Sequence, residues 1–453
     1  MRFKEYKQLD LPNIAKEILK QWRDEDTFSK TLNNRKGSPP FIFYEGPPSA
    51  NGTPGIHHVM ARAIKDIFCR YKTQKGYLVD RKAGWDTHGL PVELGVEREL
   101  GITKDDIGKS ISIEDYNSSC KKAVMRYTDD WNSLTMRIGY WVDMEDPYVT
   151  YKSKYIESVW WLIKQIHEKG FLYKGYTIQP YSPMAGTGLS SHELNQPGAY
   201  QDITDTTVTA QFKAINSSLP KSLKGEIPLY FLAWTTTPWT LPSNTALTVG
   251  KKIDYAIVNT FNQYTHESVR VILAKDLIVK QFGKKYIEQA TLREFKASDK
   301  KIPYKIESVI KGSKLVNIRY EQLWTEAPPP FTNPENAFRV IEGEFVTTED
   351  GTGIVHTAPT FGADDAKVAK EASPEIPPLL VKDENENLVP LVDLSGRFRK
   401  EVGRLGGQFV KNEYYPKGQI PDRSTDIDIA IQLKEENKAF KVEKYVHSYP
   451  NCW

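Results

Sequence analysis

The sequence predicts an α/β fold: a doubly wound, parallel-sheet domain interrupted by a β-rich inserted domain. Three observations predict it. Short apolar runs of strand length alternate with helical periodicity through residues 41–195. From about Asn195 the texture changes to β-branched segments separated by turn residues, with few clear helices. Helical spacing then returns at residues 426–437, before an aromatic tail, KYVHSYPNCW.

Taken in order, residues 9–30 carry helical apolar spacing (Leu11, Ile14, Ile18, Leu19, Trp22) and read as an N-terminal arm within residues 1–40. Phe41 to Tyr44 form the first strand. The loop EGPPSANGTPG, residues 45–55, is dense in breakers and must turn sharply and lie open. His57 and His58 then open a helix whose apolar face carries Val59, Ile64, Ile67 and Phe68. Residues 77–84 make a second strand that ends at Asp86, and residues 112–144 are helical. So are residues 152–169, where Tyr155, Val159, Trp160, Ile163 and Ile166 read as a core-packing face. Residues 171–173 and 177–181 read as the next strand of the parallel sheet. The inserted domain spans residues 196–440, with strands at 203–212, 229–234, 246–249, 255–258 and 269–273; residues 441–453 return to the first domain.

The length of 453 residues suggests about three domains. A hydrophobic fraction of 39% and a charged fraction of 26% suit a chain with a sizeable core. With a net charge of +3, any grip on nucleic acid must come from local patches. Cys69, Cys120 and Cys452 lie far apart with no CxxC pair, which excludes a disulfide framework and a zinc site, Cys452 alone being held open. No run approaches membrane-spanning length and no signal peptide is expected, so the setting is a reducing cytoplasm. The sequons at Asn117 and Asn216 are then incidental. No GxGxxG follows the first strand, which argues against a dinucleotide enzyme; Gly186-Thr187-Gly188 is too small a fragment of one.

Two clusters carry chemistry. A helix N-terminus presents unpaired N–H groups and a positive dipole end; with two imidazoles added, residues 55–58 read as a phosphate site built without a lysine loop. The second cluster is WTTTPWTLPSN, residues 234–244, paired with GTGIVHTAP, residues 351–359, and FGADD, residues 361–365. Three threonines between tryptophans put hydroxyls on both faces of an extended segment. An edge strand rich in β-formers is the plainer reading of the threonines alone.

Residues 41–93, ending in GWDTHGLPVE, resemble the signature half of the class I aminoacyl-tRNA synthetases, and among them the isoleucine enzymes. The usual His-Ile-Gly-His stands here as Gly55-Ile56-His57-His58, so the first imidazole has moved two positions along. The threonine and GTGIVHTAP segments resemble the paired motifs of the editing domain inserted in isoleucine, valine and leucine synthetases. The resemblance implies that ATP with Mg²⁺ is held by Gly55, His57 and His58. It implies that Gly46 and Pro47 shape the amino-acid pocket and that Asp86 pairs with the α-ammonium, capping the next turn being the alternative. Asp365 would hold the ammonium of a mischarged amino acid; Thr235, Thr236, Thr237, Asn244 and His356 would fix the tRNA end and orient water. Positioning is preferred for His356 over general base, and Trp85 and His88 read as scaffolding. If His57 takes over from the missing imidazole, His57→Ala should damage ATP-dependent activation.

An editing site has a physical reason, for which this enzyme family is itself the standard illustration. One methylene discriminates isoleucine from valine by only about 1–3 kcal/mol, so a smaller second site must remove the error. The implied partners are tRNA(Ile), isoleucine and ATP, with no membrane, and the expected state is a monomer. The second phosphate loop and anticodon helices of the family are not found; Lys152-Ser153-Lys154 echoes that loop at the wrong place. A truncated N-terminal half is the expectation. Alternatives are a valine or leucine ligase, a stand-alone deacylase, or a tRNA-binding remnant.

Overall fold

The computed structural model describes residues 8–175, 177–292, 295–296 and 298–450. Cys452 lies outside them. Contacts divide the chain into two compact units, Met1–Gly175 and Tyr176–Trp453.

The first unit contains α1 (Leu11–Asp24), α2 (Thr27–Asn33), β1 (Pro40–Tyr44), α3 (Ile56–Gln74), β2 (Leu78–Trp85), α4 (Leu90–Leu100), α5 (Ile113–Val124), α6 (Thr128–Arg137), β3 (Asp143–Val149) and α7 (Ser153–Glu168). The strands form one parallel sheet with β2 in the centre. Local signals start the helices where expected. Asp10 caps α1 by accepting from the Asn13 N–H at 3.2 Å, and Ser112 caps α5 by accepting from Asp115 at 3.0 Å. Gly84 in β2 is required by packing, because a Cβ there would stand 2.3 Å from the Tyr148 ring.

Two expectations for this unit are corrected. Residues 171–175 form no strand; a β-strand needs a hydrogen-bonding neighbour, and the described residues provide none there. Second, the apolar faces of α3 and α7 do not point inward. Ile64, Ile67 and Phe68 are exposed, and α3 instead buries Arg62, Cys69 and Thr73. On α7 no residue is buried, and Trp160 is 68% exposed. The inward stripe of α3 is a polar seam: Arg81, buried on β2, donates to Thr73 Oγ1 at 2.9 Å and to Asp66 at 3.3 Å.

The second unit begins with a two-residue bridge, β4 (Tyr181–Ser182) with β5 (Thr187–Gly188), and the short α8 (Ser191–Leu194). There follow β6 (Tyr200–Lys213), β7 (Leu229–Thr235), β8 (Ala246–Val249), β9 (Asp254–Phe261), β10 (Ser268–Ala274), α9 (Ile278–Phe282), β11 (Tyr286–Glu288), β12 (Ile302–Lys311), β13 (Arg339–Glu342), β14 (Ile354–Thr357), α10 (Ala363–Glu371), β15 (Leu380–Lys382), β16 (Leu388–Pro390), α11 (Thr425–Glu435) and β17 (Ala439–Pro450). Seven strands make a mixed sheet in the order β11-β12-β9-β10-β7-β6-β17, and a smaller sheet runs β13-β8-β14. Alternate residues of β7 enter different cores: Phe231 and Ala233 on one face, Tyr230 and Leu232 on the other. Burial on both faces is why these strands read as continuous apolar runs. The tail expected to return to the first domain is β17, paired antiparallel with β6 from Ala439 to Pro450.

Candidate functional site

In the first unit the breaker-rich loop is anchored on both sides. Glu45 N–H donates to Lys82 O at 2.8 Å, Asp86 N–H to Pro48 O at 3.0 Å, and Ser49 Oγ to Asp86 O at 3.1 Å. On the other side Trp131 Nε1–H donates to Gly52 O at 2.8 Å. Between loop and α3 lies a cleft of about 420 Å³ lined by Gly46, Pro47, His58, Arg62, Lys65 and Trp131, among others.

His58 sits at the helix start with its ring fixed. The Gly55 N–H donates to His58 Nδ1 at 2.9 Å, and the His58 N–H donates back to Gly55 O at 3.1 Å. An accepting Nδ1 places the ring proton on Nε2, leaving one free N–H donor. Burial, then the positive charges of His57, Arg62 and Lys65, hold its pKa below the ordinary histidine value. The imidazole is thus a neutral donor rather than a cation. His57 is exposed, folds back toward Gly55 and lies tilted at 45° against the His58 ring with centroids 3.7 Å apart, but does not line the cleft.

Asp86 follows β2 directly, and among the described residues its carboxylate accepts only a long bond, 3.3 Å, from the His88 N–H to Oδ1. Trp85 packs with Ala50, Trp131 and Val149, and the His88 ring is tied to Thr150 at 2.9 Å. At Gly46 an added Cβ would only reach ordinary contact with Lys65, at 3.5 Å, so the protein itself does not demand glycine there. Sequence reasoning missed Glu45, Arg62, Lys65 and Trp131. Glu45 is buried, bonded to Lys65 at 2.5 Å and to the Tyr140 hydroxyl. Projecting α3 as a helix from His58 would have put Arg62 and Lys65 on the same face; nothing local marks Trp131.

In the second unit the threonine segment leaves β7 and coils into a tight turn. A chain of hydrogen bonds runs from Thr235 to Thr237 (3.2 Å), to Thr240 (3.4 Å), to His356 Nε2 (3.0 Å). The other ring nitrogen, Nδ1, accepts from Asn244 Nδ2 at 2.9 Å. Asn244 also donates to Ala246 O at 2.8 Å and accepts from the Tyr320 hydroxyl at 2.7 Å, which fixes its amide orientation. His356 therefore carries its proton on Nε2 and has both nitrogens engaged. Burial pushes its pKa down to about 4. Asn244 and His356, expected to help fix the tRNA end and orient water, are both buried, with their polar atoms hydrogen-bonded inside the protein. Through Thr240 and the turn backbone they are tied to the threonine segment.

Thr236 is half-buried and makes no hydrogen bond among the described residues, which leaves its hydroxyl available. Asp365 stands in the first turn of α10; its Oδ2 accepts from the Ala358 N–H at 2.8 Å, two residues beyond His356. Burial raises its pKa, the Ala358 bond opposes the rise, and exposed Asp364 adds to it. Trp239 and Phe361 meet edge to face at 5.0 Å and join the threonine turn to the Asp365 turn. Beneath that turn, Asp426 accepts from the Trp239 N–H at 3.0 Å and pairs with Lys411 at 3.0 Å, which also reaches Asp205 at 3.3 Å. Among the described residues no group of three His, Cys, Asp or Glu could hold a metal.

The family profile for tRNA synthetases class I (I, L, M and V) matches residues 17–370. The chain belongs to that family. Within the class I synthetases it is similar to the isoleucine–tRNA ligase of Bacteroides fragilis, at 56% identity over the whole of this chain and 40% of that protein. The isoleucine–tRNA ligase of Cytophaga hutchinsonii is 57% identical over the same shares, and that of Clostridium acetobutylicum 41% over 99% of this chain and 38% of its own length. The chain thus spans about two-fifths of the length of the curated relatives it matches. No helix among the described residues is long and apolar enough to cross a membrane.

Proposed function

We propose that the chain is the N-terminal part of an isoleucine–tRNA ligase, carrying one half of the amino-acid-activating site and a separate editing site. The single observation that supports this most is the presence, in a class I synthetase chain, of both motif sets on prepared geometry: a donor histidine in a cleft and a threonine turn joined to Asp365.

In the activating site, the isoleucine carboxylate attacks the α-phosphate of ATP, forms isoleucyl adenylate and releases pyrophosphate. The carboxylate is already a nucleophile, so the protein's work is to align the reactants and stabilise charge on phosphorus. His58 Nε2–H and the N-terminus of α3 from Gly55 donate to phosphate oxygens, with His57 beside them. Gly46 and Pro47 form the wall against isoleucine, and the Asp86 carboxylate takes its ammonium. Mg²⁺ arrives with ATP. In the editing site, Thr235, Thr236 and Thr237 present hydroxyls to the 3′ end of mischarged tRNA(Ile), Asn244 and His356 hold the turn, and Asp365 takes the valine ammonium. Water then cleaves the ester to valine and free tRNA. A cytoplasmic setting, where charged tRNA is consumed, follows from this reading.

The test is amino-acid-dependent ATP–pyrophosphate exchange in a ligase carrying this chain as its N-terminal part. Isoleucine should drive exchange well above valine and leucine. Leucine or valine as the preferred amino acid would overturn the assignment.

A further inference from the structure

The cleft in the first unit holds a buried cation with no direct hydrogen bond or ion pair among the described residues. Arg62 lies one helical turn beyond His58 on α3 and lines the same cleft. It is only 5% exposed, and its Nε–H has no hydrogen-bond partner among the described residues. Its guanidinium lies over the Trp131 ring, with Cζ 4.8 Å from the centroid, the ring that His58 meets edge-on at 4.6 Å. The obvious counter-ion nearby is already engaged: one Glu45 oxygen is bonded to Lys65 at 2.5 Å and the other to the Tyr140 hydroxyl. Glu45 acts on Arg62 only through its charge, at a distance, while Lys65 has the direct ion pair; among the described residues Arg62 has no hydrogen bond or ion pair of its own. A buried guanidinium without acceptors is costly unless an anion completes it.

We propose that Arg62 is an anion-binding residue of this cleft, receiving an oxyanion of the substrate: a phosphate of ATP or the carboxylate of the amino acid. The inference rests on the reading that this cleft forms the adenylate. Planar donors stacked on an aromatic ring suit a bidentate grip on either group. It also accounts for how a site with one imidazole out of place keeps positive charge near the reacting atoms, since Arg62 faces the cleft where His57 does not.

The probes are ATP against adenosine, and isoleucine against isoleucinol, each titrated calorimetrically into a ligase carrying this chain as its N-terminal part and into its Arg62→Met variant. Methionine keeps a flexible apolar stem on Trp131 and removes the charge. A loss of about ten-fold or more in ATP affinity with adenosine unchanged assigns the phosphate. The same loss for isoleucine with isoleucinol unchanged assigns the carboxylate. Unchanged affinity for all four in a folded variant overturns the role of Arg62 and leaves the activating site standing. No binding of any probe by the unsubstituted ligase overturns both. Should Arg62→Met fail to fold, the Arg62 Nε–H resonance of the unsubstituted ligase decides: it moves on adding ATP or isoleucine, or the proposal fails.

Discussion

At His58 a single backbone hydrogen bond decides the chemistry. The Gly55 N–H occupies Nδ1, so the only free donor is Nε2–H. His58→Ala should weaken ATP binding by about ten-fold or more, as loss of one donor to a charged oxygen does; His57→Ala should weaken it less. Titration calorimetry on both variants checks the order. At His356 the consequence is a pH dependence. An unfolded imidazole titrates near 6.5 and the folded one near 4, so between those values only the unfolded chain takes up the proton. Stability from this residue is complete above pH 6.5 and falls as the pH drops toward 4, by about 3 kcal/mol at the bottom of the window. His356→Gln should flatten that part of the stability profile, read from urea unfolding across pH. The identities of His58, Asp86, His356 and Asp365 as residues of interest were legible in the sequence. Where their side chains point was not: burial of Asn244 and His356 depends on Tyr320 and Ala246, which no local pattern connects to them.

At the scale of the element, the strands of the second unit were legible because burial on both faces leaves an unbroken apolar run. The helices of the first unit were legible in extent and not in facing. Spacing gives α3 an apolar stripe through Ile64, Ile67 and Phe68, yet its inward stripe is Arg62, Cys69 and Thr73. Periodicity reports that a stripe exists; it does not report which stripe its unit covers when a buried arginine on the next strand needs polar partners. The turn before β14 shows what local sequence does fix. Gly353 has φ +72°, and a Cβ there would stand 2.4 Å from the Cβ of Ala274. Gly353→Ala should cost about 2 kcal/mol or more through conformation and overlap together. Denaturant unfolding of the variant checks this, and a loss under about 0.5 kcal/mol would mean that β10 and the turn relax freely.

At the scale of the whole molecule, the passage from alternating elements to a β-rich body was legible in composition, but its position was not. The compact units part between Gly175 and Tyr176, and residues 439–450 pair along β6 within the second unit. A twelve-residue strand pairing with a segment more than two hundred residues earlier leaves no local trace in sequence. The two units also differ in how they hold together. The second encloses a large core with both sheet faces covered, whereas the first rests on small clusters around Trp85 and Tyr140. On the function proposed above, the second unit hydrolyses valine mischarged to tRNA(Ile). The most direct test is hydrolysis of valyl-tRNA(Ile) by the purified chain, with isoleucyl-tRNA(Ile) as control and Asp365→Ala alongside. The expected result is rapid loss of valine, isoleucine retained, and the activity abolished in the variant. Equal hydrolysis of both tRNAs, or full activity in Asp365→Ala, would contradict it.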